Sequence, residues 1–483
     1  MAGDDLAYMA AVEALKLFRS RKLSPVELVS AVVERAAMVE PKINAFAEEM
    51  FEQALEQARR AESRYGGREP SPRLLEGIPV AVKEEQPIAG RSWEEGSLLS
   101  KGNVADVTHP VVERIVAAGG IIHARTTAPE FSCAGFTHSL LWGVTRNPWN
   151  LDCSPGGSSG GSGAALAAGT ATLATGSDIG GSIRIPASFC GIVGYKPPYG
   201  RVPALPPFNL DHYCHDGPMA RTVADCALLE NVLVGPHPID AVSLRPAVRI
   251  PEQLEGIEGF KIALSIHLGD YPVAAEVVNN TLAAADALRQ AGAVIEDVEL
   301  AWKRADVMRA TWAHFGAIFA PVVRHEAGDR HDLLAPYTRA FLEQAETASR
   351  ETDYVDGLVI EGDIYAELGS LLERFDALLC PTVGISALRA GEDYVGTVPV
   401  VDGEALDDYL ETALTPPFNI ASRCPVAAVP SGRASNGVPT GVQIVAPTYD
   451  DVRAFQVAAA LERVRPWFGE PSWRPSLSAH PGD

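Results

Sequence analysis

The chain has 483 residues, of which 47% are hydrophobic and 21% are charged, a balance typical of a globular protein with a large core and not of a disordered one. Its 40 Lys and Arg residues against 62 Asp and Glu residues give a net charge of -22, which repels nucleic-acid phosphates. Seven scattered cysteines without a C-x-x-C pair argue against a disulfide framework or a zinc site and favour a reducing compartment.

The first part of the chain is predicted to be helical. Ser24, Pro25 and Glu27 form a capping box with proline at the first helical position, which predicts a helix to about Met38. A second helix is predicted from Ile43 to Arg64. The N-terminus shows no basic region before an apolar signal core, and no apolar run is long enough to span a bilayer. We therefore expect a cytoplasmic location and no membrane association.

Short apolar runs then alternate with helical patterns. Strands are predicted over residues 78–82, 121–126, 260–265, 293–300, 377–383, 426–429 and 441–445, and helices over 110–118, 274–290 and 451–464. This alternation predicts an α/β fold, with one sheet covered by helices, in a single large domain of residues 1–483. Within it we assign residues 1–65 to N-terminal helices, 66–245 to a catalytic core with a signature segment at 154–197, and 305–374 to a helical cap over the substrate pocket.

The segment from residue 154 to 196 is unusually rich in glycine and serine but has few charges, and its apolar flanks predict that it is buried. Buried glycines let a backbone approach a ligand closely and aim several N–H groups at one anionic atom. The P-loop pattern and the G-x-G-x-x-G fingerprint are both absent. An oxyanion hole is therefore the better interpretation than a phosphate site.

An oxyanion hole needs a nucleophile and a base. Ser182 directly follows two glycines, and no histidine lies in the whole segment, so a lysine is the better candidate for the base. Lys83 ends the apolar strand predicted at 78–82. Burial at that place would favour the uncharged amine that a general base requires.

Four motifs resemble the amidase-signature enzymes: GIPVAVK (77–83), GGSSGGS (156–162), GGSIR (180–184) and GYKP (194–197). The resemblance continues in NPW (147–149), GPMAR (217–221), PFN (417–419) and GVQIV (441–445), and so covers most of the chain. It implies the fold of that family, an α/β domain with a mixed central β-sheet flanked by many helices.

The resemblance also implies roles for single residues. Ser182 would attack the carbonyl carbon, Ser158 in a cis peptide would relay the proton, and Lys83 would be the terminal base. The predicted oxyanion hole consists of the N–H groups of Ile179, Gly180, Gly181 and Ser182. The residues predicted to contact the substrate are Gly156, Gly157 and Tyr213. No metal and no organic cofactor are expected.

The chain departs from the common family pattern at a few positions. Ser177 stands where threonine is usual and retains the hydroxyl. Glu84 and Glu85 stand after the lysine where Asp-Asn is frequent, which alters the charge near the base. Asp178 and Arg184 are interpreted as a structural ion pair, and the His212–His215 stretch as a loop or pocket wall and not a metal site.

The sequence therefore predicts an amidase. The enzyme would hydrolyse the carbon–nitrogen bond of a small, neutral or apolar amide, or an ester, anilide or carbamate, through a serine acyl-enzyme. One alternative is the transamidating A subunit of a tRNA-dependent amidotransferase, against which the net charge weighs. The other is a non-catalytic binding protein, against which the intact Lys83, Ser158 and Ser182 weigh. The expected partner is a small-molecule amide or carbamate, with no nucleic acid; the family resemblance also allows a homodimer.

Overall fold

The computed structural model describes residues 3–67, 71–469 and 471–477; the other positions of the predicted domain lie outside this range. The strands are β1 (Phe46–Glu49), β2 (Pro79–Lys83), β3 (Ile121–Thr126), β4 (His138–Ser139), β5 (Gly143–Val144), β6 (Leu173–Asp178), β7 (Val193–Lys196), β8 (His215–Ala220), β9 (Lys261–Leu264), β10 (Val294–Asp297), β11 (Ala377–Pro381), β12 (Val400–Val401), β13 (Glu404–Ala405), β14 (Val426–Arg433) and β15 (Pro439–Val445).

The α-helices are α1 (Gly3–Ala7), α2 (Ala11–Arg19), α3 (Pro25–Ile43), α4 (Phe51–Tyr65), α5 (Pro110–Ala117), α6 (Gly160–Ala168), α7 (Arg184–Cys190), α8 (Val223–Leu233), α9 (Ala275–Gln290), α10 (Arg304–His314), α11 (Ala320–Ala327), α12 (Pro336–Glu351), α13 (Tyr354–Leu372), α14 (Pro417–Ile420) and α15 (Asp451–Val464). A π-helical turn, Phe315–Phe319, joins α10 to α11. No helix in the described part of the chain is both long and apolar enough to cross a membrane.

Eleven strands form one mixed sheet in the order β1-β3-β2-β6-β8-β7-β14-β15-β11-β9-β10. Two sets of parallel neighbours, β3-β2-β6 and β11-β9-β10, lie towards its two edges. The strands between them pair antiparallel. The predicted α/β fold with a mixed central sheet in one large domain is thereby confirmed.

Helices cover both faces of the sheet because successive residues of a strand point to opposite sides. On β11, Ala377 and Leu379 belong to one hydrophobic core, whereas Leu378 and Cys380 belong to another. The first core packs against α2, α5, α8, α9 and α15. On the opposite face, α10 to α13 cover one half of the sheet, and α6 and α7 with the end of α3 cover the other.

The predicted N-terminal helices are only partly correct. The Ser24 side chain accepts the Val26 N–H at 3.0 Å and Glu27 accepts the Ser24 N–H at 2.8 Å, so the capping box forms and α3 runs beyond the predicted end. The helix predicted from residue 43 is wrong in its first turns. Asn44 ends α3 in a left-handed conformation, and β1 then pairs with β3 before α4 begins.

Candidate active site

Lys83 is the last residue of β2, and its side chain is fully buried. Its backbone N–H donates to Thr175 Oγ1 on the neighbouring β6 at 3.2 Å, which fixes the end of the strand. Its amine lies 2.7 Å from Ser158 Oγ and 2.8 Å from Ser177 Oγ. The structure therefore brings two members of the predicted triad into direct hydrogen-bond contact, although they are 75 positions apart.

Ser158 follows a cis peptide bond from Gly157, and its side chain is buried. The glycines of this segment allow close contact between backbones. A Cβ on Gly157 would lie 2.3 Å from the carbonyl oxygen of Phe136, and a Cβ on Gly161 would lie 2.6 Å from backbone atoms of Thr127. Any residue larger than glycine at these two positions would clash with Phe136 or Thr127. Close packing against the preceding loops therefore explains why glycine stands there.

Ser182 lies in the short connection between β6 and α7. It is 8% exposed and lines a cavity. The N–H of Ser159 donates to its carbonyl oxygen at 3.1 Å, which places the stretch around Ser158 alongside the Ser182 turn. All three residues of the predicted triad thus lie close together, at the C-terminal ends of β2 and β6.

The Ser182 turn is held by a buried ion pair between Asp178 and Arg184, whose side chains are both completely inaccessible. The carboxylate accepts two guanidinium N–H bonds at 2.8 and 3.0 Å, the N–H groups of Gly181 and Ile183, and the Asn419 amide. Burial alone would raise the pKa of Asp178, but Arg184 and Asn419 hold it below its usual value. The predicted structural ion pair is therefore present.

We call the Asp178–Arg184 pair and its hydrogen-bond partners the brace. Segments that are distant in sequence contribute to it. Arg184 donates to Asn419 Oδ1 at 2.6 Å, to Gln443 Oε1 at 2.7 Å and to the carbonyl oxygen of Thr415 at 2.9 Å. The Thr415 hydroxyl donates to the carbonyl of Gly180 at 2.6 Å. The PFN and GVQIV motifs therefore position the turn that carries Ser182.

The predicted oxyanion hole differs from the structure at one residue. The Gly181 N–H donates to Asp178 Oδ1 at 2.9 Å, so it is already occupied. Within the described residues, the N–H groups of Ile179, Gly180 and Ser182 have no protein acceptor. These three amides are therefore free to donate to a ligand, while the Gly181 N–H holds the turn.

The three residues predicted to contact the substrate are placed differently. Gly156 and Gly157 are buried against protein, and the carbonyl of Gly156 accepts the Thr137 hydroxyl at 2.8 Å. Tyr213 is fully buried, its ring is stacked on His314 at 3.7 Å, and its hydroxyl donates to Glu361 at 2.8 Å. None of the three lines the cavity at Ser182.

That cavity, here called the inner cavity, is narrow and mostly apolar, with a volume of about 40 Å³. It lies against Ser182, Ile179 and Gly180. Its aromatic wall comes from the helical region 305–374, through Trp312, Phe315, Phe319 and Phe341. The ring of Phe315 would be 3.5 Å from a Cβ on Gly180, which places this ring next to the turn that carries Ser182.

A second, larger cavity of about 210 Å³ adjoins the first, and we call it the outer cavity. The two share Cys133, Trp312, Phe341 and Tyr409. The outer cavity reaches the surface, because Val395 and Val398 in its wall are nearly half exposed. Its remaining lining includes the acidic residues Asp393, Asp407 and Asp408. The two cavities are therefore neighbours, and the outer one is open to solvent.

Glu85 contacts the predicted base, but the sequence predicts no role for it. Its Oε2 lies 2.6 Å from the Lys83 amine and accepts the hydroxyls of Ser132 at 2.5 Å and Ser177 at 2.9 Å. Burial is expected to favour the uncharged amine, and the structure places a carboxylate within ion-pair distance of this buried amine. Burial would raise the pKa of Glu85, but Lys83 and the two hydroxyls lower it below its usual value.

One group of side chains in the described part of the chain could hold a cation, namely Asp211, His212 and His314, whose ligand atoms lie within 4.8 Å of one another. Each already has a protein partner. His314 Nε2 is 2.7 Å from Asp211 Oδ1, and His212 Nε2 is 3.2 Å from Glu361 Oε2. The group lies outside the lining of the inner and outer cavities.

Comparison with known proteins agrees with this geometry. The family model described as Amidase matches residues 27–455. The acylamidase of Rhodococcus erythropolis is 31% identical over 479 residues, covering 97% of this chain and 98% of that protein. The A subunit of the glutamyl-tRNA(Gln) amidotransferase from Cyanothece sp. is also 31% identical over 479 residues, covering 93% and 96% respectively.

A solved structure gives the same result. A bacterial aryl acylamidase, described as a member of the amidase-signature enzymes, superimposes with a TM-score of 0.88 at 28% sequence identity, covering 95% of this chain and 97% of that one. The family match spans most of the chain and includes Lys83, Ser158 and Ser182. The chain is therefore a member of the amidase-signature family of amide-hydrolysing enzymes.

Proposed function

We propose that this enzyme hydrolyses small apolar amides, with a short acyl group and an aromatic amine, through an acyl-enzyme on Ser182. The observation that carries the proposal is the position of Ser182 on the wall of an aromatic cavity, beside the hydrogen bond between Lys83 and Ser158. Ser182 Oγ attacks the amide carbon, and the carbonyl oxygen becomes an oxyanion bound by the free amides of Ile179, Gly180 and Ser182.

Proton transfer accompanies the attack. Ser158 receives the proton of Ser182 and passes its own to the Lys83 amine, and the leaving amine takes the proton back along the same path. The C–N bond breaks when the tetrahedral intermediate collapses. Water then adds to the ester of Ser182, and the carboxylic acid leaves.

The sizes of the two cavities favour a particular division of the substrate. A cavity that binds a benzene ring has a volume of roughly 150 Å³, which is far more than the inner cavity provides and less than the outer cavity does. The amine leaves first, and the outer cavity offers it a way to solvent. We therefore assign the acyl group to the inner cavity and the aromatic amine to the outer one.

The relatives also include amidotransferase subunits, so transamidation is the second candidate. Two observations favour the hydrolase. Glutamine, the common ammonia donor, carries two charged groups for which the aromatic inner cavity offers no partner. Reaction with a tRNA-bound substrate also requires approach to a polyanion, which the net charge of -22 disfavours.

A panel of anilides that differ only in the acyl group tests the proposal. The purified chain is given acetanilide, butyranilide and hexananilide, with glutamine in parallel, and the release of aniline or ammonia is followed. We expect kcat/KM for acetanilide to exceed that for hexananilide by at least about tenfold, because each extra methylene must fit the inner cavity. A preference for glutamine or for the longest acyl group would contradict the proposal.

Two variants make the experiment sharper. Phe315→Ala enlarges the inner cavity and should narrow the difference between the short and the long anilide. Tyr365→Ala is the matched control, because Tyr365 is an exposed aromatic residue of α13 outside both cavities. Ser182→Ala should release no aniline from any substrate.

A further inference from the structure

Glu85 occupies a site built for a carboxylate. It lies two residues after Lys83, and its Oε2 is surrounded by the Lys83 amine and the hydroxyls of Ser132 and Ser177, all within 2.9 Å. Ser132 reaches it from a loop in which both Phe131 and Ser132 adopt positive φ angles, 50° and 57°. Non-glycine residues in this region are uncommon and cluster at functional sites.

The charge on Glu85 decides what Lys83 can do. Its lowered pKa keeps the carboxylate ionised at neutral pH, and a carboxylate at 2.6 Å stabilises an ammonium and not a free amine. An ammonium group has no lone pair with which to accept a proton from Ser158. The resting ion pair is therefore incompatible with Lys83 as the final proton acceptor.

We propose, resting on the function proposed above, that Glu85 is the positioning residue that stores the catalytic proton, with Lys83 as the conduit. As Ser182 attacks, Lys83 gives a proton to Glu85 Oε2, and the amine so freed accepts the proton of Ser158. Ser158 in turn accepts the proton of Ser182. Lys83 remains an ammonium, Glu85 becomes a carboxylic acid, and the new negative charge is on the oxyanion. The net charge of the site is unchanged.

The return path follows the same atoms. When the C–N bond breaks, Ser158 gives its proton to the departing amine nitrogen and takes one from Lys83, and Lys83 then takes back the proton of Glu85. Ser177 also bridges the pair, since it accepts from Lys83 at 2.8 Å and donates to Glu85 at 2.9 Å. Attack and collapse therefore require no proton from bulk water.

Other titratable groups interact with Glu85 and set the background of any pH profile. Besides the amine, those identified among the described residues are Glu95, Asp216, His109 and Cys214. Burial, with Glu85 as the next cause, raises the pKa of Glu95 to about 8 and that of Asp216 to about 7. Burial lowers the pKa of His109 to about 4 and raises that of the Cys214 thiol.

The direction of the pH shift separates the proposed role of Glu85 from its effect on these neighbours. Removing the charge of Glu85 removes one cause of the raised pKa values of Glu95 and Asp216, so both would shift to lower pH. The proposal predicts the opposite shift for the reaction. Without Glu85 the proton has to end on Lys83, which must first become neutral, so the acid limb moves to higher pH.

The experiment measures the rate at which a fluorophosphonate probe labels Ser182 between pH 5 and 10, together with anilide turnover, in the wild type and in Glu85→Gln. We expect wild-type labelling at pH 6 to stay within about threefold of its value at pH 8, and labelling of the variant at pH 6 to be at least about a hundredfold slower. The rate of the variant should rise as the pH is raised, because Lys83 then has to lose a proton before it can accept one.

Three further variants complete the test. Glu94→Gln changes a glutamate of a nearby loop whose side chain accepts the Gly102 N–H and has no hydrogen bond or ion pair with Lys83 or Glu85 among the described residues, and it should keep the wild-type profile. Glu85→Asp should restore part of the rate at pH 6, because the carboxylate returns. If Glu85→Gln does not fold, Ser132→Ala replaces it, since loss of one donor raises the pKa of Glu85 and moves the acid limb in the same direction.

The outcomes separate this inference from the proposed function. A wild type that is labelled, with a Glu85→Gln profile equal to it, overturns the role of Glu85 and leaves the hydrolase standing. A wild type that the probe does not label at any pH overturns the nucleophile, and the role of Glu85 with it. A labelling profile that moves to higher pH in Glu85→Gln supports Glu85 as the proton store, even where no anilide in the panel is hydrolysed.

Discussion

Two ion pairs lie at the ends of the neighbouring parallel strands β2 and β6, and they differ in burial and in their hydrogen-bond partners. Arg184 and Asp178 are both fully inaccessible, and the carboxylate accepts five N–H donors. Lys83 and Glu85 have hydroxyl partners instead, and Glu85 is 29% exposed. The same combination of charges thus occurs in two different surroundings.

The partners account for the difference in role. A guanidinium keeps its protons, and backbone N–H groups only donate, so the Asp178 pair is a fixed brace. Amines, hydroxyls and carboxylates both gain and lose protons, so the Lys83 pair can take part in a reaction. Ion pairs in an active site are therefore better classified by their other hydrogen-bond partners than by their own charges.

The largest effect is expected from Lys83→Ala, which removes the amine proposed to carry the proton and leaves the Asp178–Arg184 pair intact. Turnover of anilides should fall by about a thousandfold or more, because general acid–base catalysis contributes factors of this size. The measurement is kcat at pH 8, with circular dichroism to verify folding. Lys101→Ala, at an exposed lysine, is the matched control, and equal turnover in the two variants would remove Lys83 from the mechanism.

Arg184→Met tests the other pair and should act mainly on stability. It leaves the Asp178 carboxylate buried without its guanidinium, which typically costs about 3 to 5 kcal/mol in the free energy of unfolding. Urea unfolding at pH 7.5 measures this loss. The control is Arg60→Met, in an exposed pair with Glu56, where about 0.5 kcal/mol or less is expected. A loss as small as that of the control would mean that the brace does not stabilise the fold.

The smallest effect is expected from Gly181→Ala, which disturbs the turn without changing any charge. A Cβ there would lie 2.1 Å from Thr415 Oγ1, on a residue with φ of 128°. The backbone must shift, and misplacement of catalytic groups by about 1 Å costs roughly a hundredfold in rate. Steady-state kinetics should show the loss in kcat, whereas Gly256→Ala, in open space, should leave kcat unchanged. An active Gly181→Ala enzyme would show that the turn tolerates displacement.

Much of the fold could be predicted from local pattern. The strands near residues 78–82 and 121–126 and the helices near 274–290 and 451–464 agree with β2, β3, α9 and α15, because apolar periodicity and turn residues mark them. The helix predicted across β1 is wrong, since Phe46–Glu49 owes its extended form to pairing with β3. Strands β6 and β8 are poor in strand-forming residues, so local pattern does not predict them either.

The candidate site, like the fold, could be predicted only in part from local sequence pattern. The motifs identify Lys83, Ser158 and Ser182, and the contact between Lys83 and Ser158 agrees with that prediction. The environment of Glu85 could not be predicted, because its partners Ser132 and Ser177 are 47 and 92 positions away. Only the assembled sheet brings these groups to one carboxylate oxygen. The direction of the Gly181 N–H could not be predicted either, because it depends on the position of the Asp178 carboxylate in the folded turn.

The wall of the outer cavity has a consequence for how such an enzyme diversifies. Asp393, Asp407 and Asp408 come from one stretch between β11 and α14, whereas both ion pairs belong to β2, β6, α7 and the turns beside them. If the outer cavity takes the amine, as proposed, mutations in that one stretch would alter which amines are accepted while the bond-breaking groups stay in place, as variable loops do on a rigid scaffold.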